Sequence, residues 1–241
     1  MDRIGRFGVF PLVAGSRRSK WSPSRCRATL ATSNAVTWSG DKGYLDLDGD
    51  IKQFQDAFAD AEILEDSPVP NAVLQRLETK PHIGHFSCHG TYNHLAPLQS
   101  SLTLAEPLTL QTIIEHHQSS WLVNLSACET GIPDLSRTEQ SVSFPTSFLM
   151  AGSAHVHATL WSAGNTHATE YNRHLYTQIN KGDDPALAHQ RAINELRNNP
   201  PDIPLSPSGR LSVSTEQRPV HNVAETDHPF WWAPYNHYGA P

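Results

Sequence analysis

Two short runs in this chain carry the residue types of nucleophilic catalysis. One is His89-Gly90. The other is Cys128-Glu129-Thr130-Gly131, whose cysteine follows the histidine by 39 positions. A thiol with a pKa of about 8.5 is mostly protonated at neutral pH. An imidazole beside it can take that proton, and the resulting thiolate attacks a carbonyl carbon. The imidazolium can then protonate a leaving amine. The carbonyl oxygen becomes an oxyanion and needs donors, for which the main-chain N–H groups of Gly90 and Cys128 are candidates. Gly90, having no side chain, lets the backbone come close. Spacing alone leaves a second reading open for Cys128, as a buried apolar thiol at the end of a core strand.

The elements around the pair must bring it together. His82-Ile83-Gly84-His85-Phe86-Ser87-Cys88-His89-Gly90 reads as a short strand ending at a glycine, and 121–128 as a second, apolar strand. The near-continuous apolar character of 121–128 suits a central parallel position buried on both faces. A single helix, 109–116, is expected between them. A right-handed parallel crossover of that kind puts both carboxyl ends on one sheet edge, where open parallel sheets carry their sites. The other expected helices are 50–62, 69–79, 144–152, 166–180 and 185–198. Residues 61–64 fit either the end of a helix or a brief strand. A third strand is expected at 154–161 and an aromatic edge strand at 230–235, where Pro234 is tolerated. Residues 200–229 carry six prolines and read as a long loop. Strands alternating with helices make this an α/β chain with a mostly parallel sheet.

Composition narrows the classes. The chain has 241 residues with a net charge of -6, so binding of nucleic acid by the whole chain is not expected. Neither GxGxxG nor GxxxxGK[ST] occurs, so nucleotide chemistry has no support. No run of about 18 apolar residues is present, and no membrane span is expected. Three cysteines cannot make a disulfide scaffold and suggest free thiols in the reducing cytoplasm. Charge is uneven: the first forty residues hold seven Lys/Arg and one acid, which leaves -12 for the rest. Residues 1–44 are therefore set aside as a basic, Ser-rich leader, disordered or truncated. The same composition also fits an organellar import peptide, or a secretion signal weakened by Pro11. Residues 45–241 are taken as the domain.

His85-Phe86-Ser87-Cys88-His89-Gly90 resembles the HFxCHG strand end of CHAT domains, and Leu125-Ser126-Ala127-Cys128-Glu129-Thr130-Gly131 matches their LSACETG element. Four further elements agree in order. Phe148-Leu149-Met150-Ala151-Gly152-Ser153 is similar to FLxAGA, and Thr159-Leu160-Trp161 to TLW. Pro185-Ala186-Leu187-Ala188 with Arg191-Ala192 is similar to PxxALxxAQ. His228-Pro229-Phe230-Trp231-Trp232-Ala233-Pro234 is similar to HPxxWAxF. The resemblance spans about residues 45–239. It implies a caspase–hemoglobinase-like three-layer sandwich and a caspase-like cysteine endopeptidase, in a family often associated with tetratricopeptide repeats. It also implies His89 as general base, Cys128 as nucleophile, and Gly90 with Cys128 as oxyanion hole. No cofactor and no metal are implied. The implied partners are a protein or peptide substrate and a tetratricopeptide-repeat or other regulatory protein.

The chain departs from the family pattern in three places. Ser162-Ala163-Gly164-Asn165 replaces an acidic turn, Pro133-Asp134-Leu135-Ser136-Arg137 is poor in glycine, and the first strand is not recognisable in residues 1–40. These departures keep an alternative in view, a catalytically inactive caspase-like adaptor that mediates protein–protein interaction. Residues Glu129, Asp134, Trp161 and Asn165 lie where a substrate pocket could form. Arg137 and Glu139 are further charges near the nucleophile that nothing ranks. Cys88 fits a core thiol better than a second nucleophile, because on a strand it faces away from His89. His82, His85, Cys88 and His89 crowd together in sequence, but strand alternation makes a tetrahedral zinc site there awkward.

Overall fold

The structure is a computed structural model, and it describes residues 35–39, 47–64, 68–126, 130–131, 142–161, 164–201 and 228–239. Five parallel strands and one antiparallel edge strand form the main sheet. They are β1 (Ala35–Ser39), β2 (Glu62–Leu64), β3 (Ile83–Ser87), β7 (Leu122–Ser126), β8 (His155–Thr159) and β9 (Tyr235–Gly239), in the order β2-β1-β3-β7-β8-β9. A second, antiparallel sheet is built from β4 (His89–Thr91), β5 (Ser101–Thr103) and β6 (Pro107–Thr109). The helices are α1 (Leu47–Ala57), α2 (Pro70–Glu78), α3 (Leu110–Glu115), α4 (Phe144–Ala151), α5 (Asn165–Asn180), α6 (Pro185–Asn198) and the short α7 (Pro229–Trp232).

Strand alternation sorts the core into two layers, one on each face of the sheet. On one face Val36, Phe86, Val123, Leu125, Val156 and Ala158 pack against α2, α3 and α4. On the other, Ile83 and Leu122 pack against Phe54 of α1, Leu175 and Ile179 of α5, and Ala188 and Leu196 of α6. Helices therefore cover both faces, and the molecule is a three-layer α/β sandwich. β7 lies inside the sheet between two parallel neighbours, as its apolar run requires.

Local chemistry fixes the helix ends. The Thr109 side chain accepts the Thr112 N–H at the start of α3, and Asp184 accepts the Ala186 and Leu187 N–H groups at the start of α6. Ser143 and Thr146 form a capping box on α4, which ends at Gly152 with φ +115°.

Three expectations change. β1 lies within the stretch set aside as leader and sits between β2 and β3. Its five residues carry no turn or motif signal, and only parallel pairing along β3 identifies them as a strand. The aromatic run near the C-terminus is not an edge strand over 230–235. Pro229 opens a turn of helix there, capped by the His228 ring, and the edge strand is β9. The histidine strand also breaks at Cys88: β3 ends at Ser87, and His89 begins β4 in the second sheet. Most of the expected Pro-rich loop, 202–227, lies outside the described residues.

Candidate active site

β3 and β7 are adjacent and parallel, with Ser87 opposite Ser126 at their carboxyl ends. His89 is the second residue after Ser87, and Cys128 the second after Ser126. The strands that precede the two runs in sequence thus end side by side, in register, at one sheet edge. His89 is half-buried and opens β4 opposite Thr103. Gly90 is half-buried opposite Leu102. Cys128, Glu129 and Asp134 lie outside the described residues.

The chain is described again at residues 130–131, where it is tied down. Thr130 is fully buried. Gly131 donates its N–H to the Thr159 carbonyl at 2.7 Å, and its own carbonyl accepts from the Tyr238 hydroxyl at 3.1 Å. A Cβ on Gly131 would sit 3.0 Å from the Thr159 oxygen, so glycine allows this approach.

The proposed pocket residues divide. Trp161 is half-buried, and its indole N–H donates to the Phe230 carbonyl at 2.9 Å, which ties it to α7. Asn165 is the half-buried first residue of α5. Cys88 is fully buried in the α2–α4 layer, in keeping with a core thiol. Among the described residues no group of three or more His, Cys, Asp and Glu is arranged to hold a metal ion.

Beneath the strand ends lies a buried polar network that residue spacing did not indicate. The Asp50 carboxylate of α1 accepts from Ser87 Oγ at 2.6 Å, from Asn172 Nδ2 at 2.5 Å and from His85 Nε2 at 3.0 Å. His85 Nδ1 then accepts from the Tyr176 hydroxyl at 2.5 Å, and Asn124 donates to that hydroxyl at 2.7 Å and to Asn172 Oδ1 at 2.8 Å. Asn172 also donates to Ser126 Oγ at 3.2 Å. The last side chains of β3 and β7 are thereby joined through α1 and α5. Burial works to raise the Asp50 pKa, but the electrostatic influence of the neighbouring His85 ring and the hydrogen bonds from His85, Ser87 and Asn172 outweigh it and hold the carboxyl below its usual range. Burial pushes the Tyr176 hydroxyl far up. Ser87 donates to Asp50 rather than to the imidazole, so this trio is not a hydrolytic triad but a structural clamp. The members of the whole network come from four elements, α1, β3, β7 and α5, far apart in sequence, which no local pattern reveals.

The CHAT domain family model matches residues 18–240. The chain belongs to the CHAT-domain family. The match begins well inside the basic stretch, in agreement with the place of β1 in the sheet. Among solved structures this CHAT domain is similar to the Arg-specific cysteine proteinase gingipain R, with 9% identity, a TM-score of 0.49, and coverage of 71% of this chain and 44% of that one. It is likewise similar to the complex of pro- and mature domains of the Porphyromonas gingivalis proteinase, with 11% identity, a TM-score of 0.49, and coverage of 71% and 45%. A Staphylococcus aureus pyridoxal kinase in complex with AMP-PCP and pyridoxal aligns with 12% identity and a TM-score of 0.34, covering 66% of this chain and 85% of that one. The CHAT domain spans less than half the length of the two proteinase chains. No curated protein matches the sequence. No helix among the described residues is long and apolar enough to cross a membrane.

Proposed function

We propose that this CHAT domain is a cysteine endopeptidase of the cytoplasm, with His89 as general base and Cys128 as nucleophile. The observation that carries the reading is the in-register pairing of β3 with β7, from whose ends the two residues follow at equal distance in sequence. The thiol proton passes to the imidazole, and the thiolate sulfur bonds to the carbonyl carbon of a peptide. The N–H groups of Gly90 and Cys128 steady the oxyanion, and the imidazolium protonates the departing amine. Water then frees the acyl group and restores the thiol. Glu129, Asp134, Trp161 and Asn165 are the residues proposed to border the substrate. A tetratricopeptide-repeat or other regulatory protein is the proposed partner that controls cleavage.

The test is covalent labelling. A peptide carrying an electrophile should modify Cys128 in the purified chain, with or without an activating partner, and His89→Ala should abolish the modification while circular dichroism stays unchanged. Labelling that persists in His89→Ala, or that lands on Cys88, overturns the dyad. The second reading, an inactive adaptor, is favoured by the loss of the acidic turn at 162–165. It predicts that Cys128→Ala leaves the biological output intact.

A further inference from the structure

Away from the strand-end site, four imidazoles meet where β8, β9 and α6 come together. His157 of β8 stands directly opposite His237 of β9 in the antiparallel pair, and His157 Nε2 lies 3.1 Å from His237 Nδ1. The His189 ring of α6 is 5.0 Å from the His157 ring and 6.1 Å from that of His237. The His155 ring is 5.3 Å from that of His237. The Tyr171 hydroxyl of α5 lies 2.7 Å from His189 Nδ1 and 3.4 Å from His157 Nδ1.

These contacts admit one proton apiece. One arrangement that satisfies them has His237 Nδ1–H donating to His157 Nε2, His157 Nδ1–H pointing to the Tyr171 oxygen, and the Tyr171 hydroxyl donating to His189 Nδ1. Every ring is then neutral and every link has one donor and one acceptor. In that arrangement a further proton on His157 turns an acceptor into a second N–H facing an N–H at 3.1 Å, and protonation of His237 as well sets like charges opposite one another across two strands. His155 Nδ1 and His237 Nε2 are buried with no hydrogen-bond partner among the described residues, so neither offers an added proton an acceptor.

We propose that His155, His157, His189 and His237 form an acid-sensitive latch that holds β9 on the sheet only while all four rings are neutral, and that through Tyr238 this latch also holds residues 130–131. β9 is an edge strand with β8 as its sheet neighbour, so it can leave without disturbing β3 or β7. Its Tyr238 hydroxyl grips the Gly131 carbonyl, three residues after Cys128. The groups facing the cluster are Tyr171 from α5, Tyr235 from β9, the Pro185 carbonyl and the Asp184 carboxylate at the start of α6. Asp184 favours protonation of His155 and His237, but burial outweighs it at both, aided at His155 by the neighbouring His237. That residues 130–131 adjoin a catalytic cysteine rests on the peptidase reading; the latch itself does not.

The test is amide hydrogen exchange of the full chain at pH 7.5 and 5.0, corrected for the intrinsic rate. Protection of residues 235–239 and of the Gly131 amide should fall tenfold or more at pH 5.0, while β3 and β7 change less than twofold. His237→Asn should shrink the pH effect on residues 235–239 to under threefold, and Tyr238→Phe should loosen Gly131 at pH 7.5. Equal protection at the two pH values overturns the latch, as does parallel loss in β3 and β7 or a full response in His237→Asn. Tight Gly131 in Tyr238→Phe overturns the link to residues 130–131. Absence of Cys128 labelling at either pH counts against the peptidase reading alone, because exchange does not depend on it.

Discussion

Asp50 holds a negative charge out of water, where His85, Ser87 and Asn172 surround it with donors. Removing the acceptor from such a set leaves buried donors unmatched, at a cost of about 1–3 kcal/mol. Asp50→Asn is therefore expected to lower the urea midpoint by an amount near the low end of that range, with an unchanged slope. The Lys52–Asp56 pair of the same helix gives the contrast, since its side chains are 69% and 59% exposed. Lys52→Ala should cost less than about 0.5 kcal/mol in the same titration. Asp50 occupies a helix that its apolar spacing made legible, but nothing within that helix marks the carboxylate as special. Its importance comes from His85 and Asn172, 35 and 122 positions away.

The turn from α4 into β8 rests on one glycine. Gly152 has φ +115°, and a Cβ there would fall 2.0 Å from the Gln118 carbonyl oxygen, a backbone atom that cannot swing aside. Gly152→Ala should destabilise by more than about 1 kcal/mol. In a domain of this size that lowers the melting temperature by about 2–4 °C per kcal/mol, readable by calorimetry. Thr109→Ala, which removes the cap of α3, should cost about 1 kcal/mol. The glycine stop of α4 and the start of α6 at Pro185 were legible in sequence, because caps and stops are local. The break at Cys88 was not, because β3 ends where β4 finds a partner in β5, and that pairing is tertiary.

Acid should weaken the whole molecule. Burial pushes His155, His167 and His189 down to about 4, and neighbouring His237 adds to this at His155 and His189. Unfolding returns each to about 6.5. Between these values the unfolded chain binds more protons than the folded one, so stability falls as pH falls. The contribution is fully present above about 6.5 and is lost progressively toward 4. Asp50, held low in the folded state, acts in the same direction but only below its ordinary value of 3.8. The urea midpoint should therefore drop steadily from pH 7 to 4.5. A midpoint that stays flat over that interval would show these histidines to be charged, or solvated, in the native state. Such a loss in the midpoint follows from burial of the histidines; selective loosening of β9 is the additional mark of the latch.

Sequence alone determined the α/β class and the family, and it nominated His89 and Cys128 for chemistry. Each of these depends on short-range patterns: apolar runs, glycine stops, and motifs a few residues long. Tertiary structure decided that β1 enters the sheet, that Asp50 clamps the ends of β3 and β7, and that four histidines share one space. These depend on which distant strands and helices lie side by side. A side chain's neighbours across a sheet are set by register and crossover, and no stretch of a single strand encodes them.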